Sequence, residues 1–143
     1  MKSIMINDII YSVGDEVYLV KSNTDLSKVG VGNYNKVLRK FVITKITTSG
    51  YIYGKIYDKH TYYDGWSYET RLNKDGSYSP TYAVTYELSP YCIDIDKKYN
   101  QCELEHEYIQ TTFKRLKIVK SMSYANAQKI NSLLDEIGVD KVK

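Results

Sequence analysis

The sequence predicts an α+β protein: a small five-stranded antiparallel β-barrel over residues 11–88, followed by an antiparallel helical hairpin over residues 91–138. Three observations predict it. Between residues 13 and 88, short stretches alternate apolar and polar residues and are separated by Gly-, Asp- and Asn-rich turns. From Ile95 onward the period changes: Ile95, Tyr99, Cys102, His106, Ile109, Phe113 and Leu116 follow one another at spacings of 4, 3, 4, 3, 4 and 3, the seam of a helix. A second amphipathic stretch, SYANAQKINSLLDEIG, then follows a short link.

The strands can be justified in order. VGDEVYLVK (13–21) enters through a Gly-Asp turn, with Val17 and Leu19 on one side and Tyr18 and Val20 on the other. SNTDLSKVGVGNYN (22–35) has no sustained period and reads as a loop. In FVITKI (41–46), Val42, Thr44 and Ile46 alternate with Phe41, Ile43 and Lys45. Thr48-Ser49-Gly50 is a tight connection. The return strand YIYGKIYD places Ile52, Gly54 and Ile56 on one face and Tyr51, Tyr53, Lys55 and Tyr57 on the other. Asp64-Gly65, flanked by Tyr63 and Trp66, reads as a two-residue hairpin turn. SYETRL (67–72) is a short strand and Asn73–Gly76 a four-residue turn. TYAVTYEL (81–88) alternates again, with Tyr82, Val84, Tyr86 and Leu88 sharing a side.

Ser89-Pro90 signals a helix start, and the first helix is expected over about 92–117, with Lys114, Arg115 and Lys117 complementing its C-terminal dipole. Ser123 is the expected N-cap of the second helix and Gly138 its terminator, with Tyr124, Ala127, Ile130, Leu134 and Ile137 as the apolar stripe. The short link predicts antiparallel neighbours packed with the barrel into one compact unit.

Composition bounds the function. The 143 residues match one ordinary domain, with 16 Tyr but only 2 Phe, which suits half-exposed sheets better than a thick dry core. The net charge of +3 is mild, and its basic excess lies in residues 1–60, which carry nine Lys/Arg against five Asp/Glu. No run of 18 apolar residues exists, so no membrane span is expected. The start MKSIMINDIIYSV has no apolar core long enough for an export signal, so a cytosolic location with reduced Cys92 and Cys102 is expected.

Catalytic and metal motifs are not evident. Cys102 and His106 are spaced i, i+4 on a helix, but both fall on the apolar seam. Cys92 would lie about 15 Å farther along the axis at 1.5 Å per residue. His60, near Asp58 and Asp64, reads as an exposed turn residue. No nucleophile elbow, HExxH or Walker loop is present, so no catalytic residue, metal site or cofactor is expected.

Two surfaces remain as candidates. Lys36, Arg39, Lys40, Lys45, Tyr51, Tyr53 and Lys55 interleave cations and rings, as a single-strand nucleic-acid platform requires; equally, those strand tyrosines would suit packing beneath the helices. Tyr62, Tyr63, Trp66 and Tyr68 surround the Asp-Gly turn, either as a protein-contact hot spot or as cross-strand pairs stabilising the hairpin.

VGDEVYLV followed by FVITKITTSGYIYGKI resembles the opening strands of SH3-like or KOW-type barrels. With the LSPY helix start and the SYANAQKINSLL helix, the chain resembles small "beta barrel domain" proteins of bacteriophages and prophages, whose functions are mostly unassigned. The resemblance implies an SH3-like barrel and a phage-encoded protein of the host cytosol. With the Tyr/Trp density, it leads to the expectation of a non-enzymatic inhibitor of a host protein or nucleoprotein complex, such as a CRISPR nuclease or another nucleic-acid-handling defence system. Direct nucleic-acid binding and a structural or virion-associated role are the alternatives.

Overall fold

The computed structural model describes residues 2–59 and 61–138; His60 lies outside the described residues. The chain divides into two compact units, the first ending at His106 and the second beginning at Glu107.

The described residues of the first unit form eight strands: β1 (Ser3–Ile6), β2 (Ile9–Ser12), β3 (Glu16–Lys21), β4 (Leu38–Ile46), β5 (Ile52–Tyr57), β6 (Thr70–Arg71), β7 (Ser77–Thr81) and β8 (Val84–Ser89). A one-turn helix α1 (Tyr34–Val37) lies between β3 and β4. Six strands form one antiparallel, nearly closed barrel sheet in the order β6-β5-β4-β3-β8-β7. The other two, β1 and β2, make a separate hairpin. That hairpin turns on Asn7 and Asp8, both with positive φ (50° and 64°), the geometry in which Asn and Asp are tolerated. Its Ile4, Ile6, Ile9 and Tyr11 pack onto the barrel core.

Strand alternation decides what lies inside. Val17 and Leu19 of β3 pair with Phe41 and Arg39 of β4, and Val17, Leu19 and Phe41 enter the core with Ile43, Ile46, Ile52, Ile56, Leu72 and Tyr86. In β4 the expected simple alternation fails. A register shift between Ile43 and Lys45 inserts one residue, so Ile46 shares the core with Phe41 and Ile43. Gly54 lies opposite Ile43 in β5, and its missing side chain is filled by a neighbour's ring: a Cβ there would fall 2.3 Å from Phe41 Cζ and 2.3 Å from the Val42 carbonyl oxygen.

Two further segments differ from the expected strands. Residues 81–88 are not one strand: β7 turns through Tyr82-Ala83 into β8, with Thr81 opposite Val84. Pro80 is accommodated because β7 is an edge strand, where a missing N–H removes no ladder bond. Residues 67–72 shorten to the two-residue β6, which pairs with β5 through Thr70 and Arg71.

A second core lies on the opposite face of β3. Tyr18 and Leu38 join Val29, Tyr34, Tyr99 and Cys102, the last two contributed by α2 (Ile93–Ile118). The rings of Tyr18 and Tyr34 lie 5.7 and 5.5 Å from that of Tyr99, and the Tyr18 hydroxyl donates to Asp96 Oδ1 at 2.6 Å. Burial raises the pKa of Tyr18, Tyr34 and Tyr99 well above the ordinary tyrosine value. Asp96 beside Tyr18, and Glu103 beside the other two, raise it further.

In the second unit, α3 (Tyr124–Glu136) begins at Ser123, whose hydroxyl accepts from Asn126 N at 3.1 Å. It ends at Gly138, with φ +81°. The expected helices at 92–117 and after Ser123 thus form within a residue or two of those bounds. None of the residues of α3 is buried. No described helix is long and apolar enough to cross a membrane.

Two outcomes follow from this packing. Gly54→Ala should lose about 1–3 kcal/mol of unfolding free energy in urea titrations, because Phe41 must move into an occupied core. Stability should also fall at high pH. The buried tyrosines stay neutral in the fold, whereas unfolded tyrosines ionise near the ordinary value of 10.0. Their contribution is therefore complete below pH 10. It is lost above it by about 1.4 kcal/mol per pH unit for each proton retained. Thermal melts across alkaline pH would read this slope, and Tyr18→Phe should make it shallower.

Candidate functional site

The open part of the barrel's outer surface is formed by β4, β5 and β6. Alternation opposite to the core residues places Lys40, Val42 and Lys45 beside Tyr57, Lys55 and Tyr53, in cross-strand register. Arg71 of β6 continues the row opposite Tyr53. The cations sit over the rings. Lys45 Nζ is 5.0 Å from the Tyr53 centroid, and Lys40 Nζ is 5.9 Å from that of Tyr57 and 5.3 Å from that of Tyr99. Tyr51 carries two: Arg71 Cζ at 4.5 Å and Lys74 Nζ at 5.1 Å. Tyr51, Tyr53 and Tyr57 are each half-buried, and Lys55 is exposed among them.

Five cations therefore share this face: Lys40, Lys45, Lys55, Arg71 and Lys74. Carboxylates also stand near them: Glu69 accepts from the Thr44 hydroxyl at 2.6 Å, the residue of Glu16 is paired with Val42, and Asp58 and Glu103 lie near the Tyr99 ring at the Lys40 end.

The seven residues expected to form a nucleic-acid platform are split. Lys40, Lys45, Tyr51, Tyr53 and Lys55 come together. Arg39 does not, because a strand reverses sides at each residue: it pairs with Leu19 on the core side, and its guanidinium lies 5.8 Å from the Tyr86 ring. Lys36 sits on α1, exposed, with its carbonyl accepting the Tyr86 hydroxyl. Arg71 and Lys74 were not among the expected residues. The shortening of 67–72 to a two-residue strand hid the place of Arg71, and the turn beyond it that of Lys74.

The segment after β5 is a hydrogen-bonded loop rather than a two-residue hairpin. Asp58 N donates to the Gly65 carbonyl at 2.7 Å, and Tyr62 N and Gly65 N donate to the carbonyls of Asp58 and Tyr62, each at 3.0 Å. Ser67 ties the loop to β5: its N–H donates to the Ile56 carbonyl at 2.8 Å, and its hydroxyl accepts from Ile56 N at 2.9 Å. Gly65 has φ +87°, and a Cβ there would lie 2.6 Å from the Tyr57 ring, so this position requires glycine.

That loop separates the four rings expected at its turn. Trp66 packs edge-on against Tyr57, with centroids 5.0 Å apart and planes at 61°, and is half-buried, as is Tyr62. Tyr63 and Tyr68 are fully exposed, at 109% and 94%. Trp66 therefore anchors the loop, and Tyr63 and Tyr68 project from it.

Cys102 is buried in the second core, where burial raises its thiol pKa, and Cys92 is half-buried; both are free thiols. The His106 ring is 6.3 Å from that of Tyr34. Among the described residues, no group of three His, Cys, Asp or Glu side chains is placed to hold a metal ion.

Comparison with known proteins returns no matching family model, no similar curated protein and no similar solved structure.

Proposed function

We propose that this chain is a non-enzymatic binding protein that engages single-stranded nucleic acid through the outer face of β4, β5 and β6. The observation that carries the reading is the row of three half-exposed tyrosines, Tyr51, Tyr53 and Tyr57, each overlain by a lysine or arginine. Alternate residues on a strand are about 6–7 Å apart, so Tyr51 and Tyr53 offer successive ring surfaces along one line. Bases stacking on such rings gain about 1–3 kcal/mol each, and the neighbouring cations supply phosphate contacts. An open outer face suits a flexible strand, whose bases reach the rings without a cleft.

A second reading is favoured by a different observation, the full exposure of Tyr63 and Tyr68 on an internally bonded loop. Tyrosines presented rigidly bury large area at small entropic cost, as protein-contact hot spots do. Under this reading the chain is an inhibitor that docks on a host protein or nucleoprotein complex, the role suggested by the phage-type β-barrel resemblance in the sequence.

Fluorescence anisotropy with labelled single-stranded DNA and RNA tests the first reading. Binding is expected to weaken steeply with added salt. Lys45→Glu combined with Arg71→Glu should abolish it, and Tyr53→Ala should weaken it by about tenfold or more. Absence of binding at low salt would end this reading. For the second, a nuclease-treated affinity capture should retain one dominant protein from a bacterial host extract and lose it with Tyr63→Ala and Tyr68→Ala together. Retention unchanged by the double substitution would count against the loop as the contact.

A further inference from the structure

One carboxylate stands within the row of cations and rings on the open face. Glu69 and Arg71 flank Thr70, whose partner in β5 is the core-facing Gly54, so alternation turns both of their side chains outward. Glu69 Oε2 accepts from the Thr44 hydroxyl at 2.6 Å, and that bond is exposed. Thr44 is on β4 and Glu69 just precedes β6, and β5 lies between those two strands. The bond therefore crosses the outer side of β5. The bulge lets Thr44 take part: the register shift between Ile43 and Lys45 leaves it without a partner in β5, next to the Lys45–Tyr53 pair. The bond thus runs beside the cross-strand row of Lys45, Tyr53 and Arg71.

Among the described residues, Glu69 takes part in no ion pair. Its partner is a neutral hydroxyl, which occupies one carboxylate oxygen and leaves acceptor capacity on the other. For a polyanion this carboxylate is an obstacle, because it repels the phosphates that the neighbouring cations attract. The repulsion is offset where a ligand brings a hydrogen-bond donor to it. The sugar-phosphate backbone of DNA has no donor, whereas each ribose of RNA carries a 2′-hydroxyl.

We propose that Glu69 makes the open face selective for single-stranded RNA over DNA, its carboxylate, held by Thr44, accepting a hydrogen bond from a ribose 2′-hydroxyl. In a nucleotide the sugar lies between base and phosphate. A base on the Tyr53 ring, with its phosphate at Lys45 or Arg71, brings its ribose to the Thr44–Glu69 bond. This selectivity rests on the face being a nucleic-acid platform, as proposed above, and names the class of nucleic acid that it takes.

Fluorescence anisotropy with single-stranded RNA, DNA and 2′-fluoro RNA of one base sequence tests it. The 2′-fluoro strand keeps the ribose shape and lacks the donor. RNA is expected to bind about ten- to a hundredfold more tightly than the other two, the range of one hydrogen bond to a charged group. Glu69→Ala should weaken RNA binding, strengthen DNA binding and erase the difference; a gain for DNA is an outcome that a misfolded variant cannot give. Thr44→Val, which releases the carboxylate but keeps its charge, should narrow the preference. Equal binding of the three strands by the native chain overturns the role of Glu69 and leaves the platform standing. An RNA preference unchanged by Glu69→Ala, or a preference that follows base sequence alike in both sugars, does the same. Binding of none of the strands at low salt removes platform and selectivity together.

Discussion

The first unit depends on the aromatic layer that fixes the first part of α2 to the sheet. Tyr18 of β3 and Tyr34 of α1 both contact the Tyr99 ring, and the Tyr18 hydroxyl is bonded to Asp96 one turn earlier on the helix. Burying three tyrosines gains roughly 1.5–3 kcal/mol apiece in apolar transfer, provided that their hydroxyls find partners. Asp96 supplies that partner for Tyr18, and the Glu103 carboxylate lies beside Tyr34 and Tyr99. Phenylalanine in place of Tyr18 would fill the space and lose the bond to Asp96 that ties the helix to β3.

This layer divides the outer face of the sheet. The half over β3 is covered by α1 and α2, and the half over β4, β5 and β6 is open. Lys40 stands at the border, its ammonium between the Tyr99 ring of the covered half and the Tyr57 ring of the open half. The Lys59–Glu103 ion pair, at 3.2 Å, lies along the same border and joins the end of β5 to α2. The tyrosines of the open half are thus held by cations rather than by a helix. Their ring surface is only partly withdrawn from water, which is what makes that half a candidate for binding.

Much of this fold is legible in the sequence where two periods are long and clean. The β5 alternation of Ile52, Gly54 and Ile56 against three tyrosines, the 4–3 seam of α2 and the Ser123 cap all correspond to observed structure. The sequence is less informative where a single residue changes register. The bulge in β4 adds one residue to a β-branched run, and nothing in FVITKI marks its place. The first hairpin turns on Asn7-Asp8, two residues that tolerate positive φ but that carry no glycine to mark the turn. The β7–β8 turn is hidden because Tyr82-Ala83 contains no glycine. The candidate face was legible in its Lys and Tyr alternation. Its outer row was not, since Arg71 and Lys74 join Tyr51 through strand pairing rather than chain proximity.

The same cation–ring pairs constrain how the open face can act. Each lysine or arginine over a tyrosine already holds about 0.5–1 kcal/mol of cation–π attraction at an exposed site. A phosphate that draws the cation off its ring forfeits that amount and gains a charge-assisted hydrogen bond worth about 1.5–3 kcal/mol. The ring surface released in the exchange becomes available to a base. Phosphate capture and ring exposure are therefore coupled: the step that satisfies the cation also uncovers the tyrosine. An anionic group without a flat apolar neighbour would gain only the first half of that exchange. Under the proposed nucleic-acid reading, such an exchange suits a ligand in which anion and ring alternate, as they do along a polynucleotide.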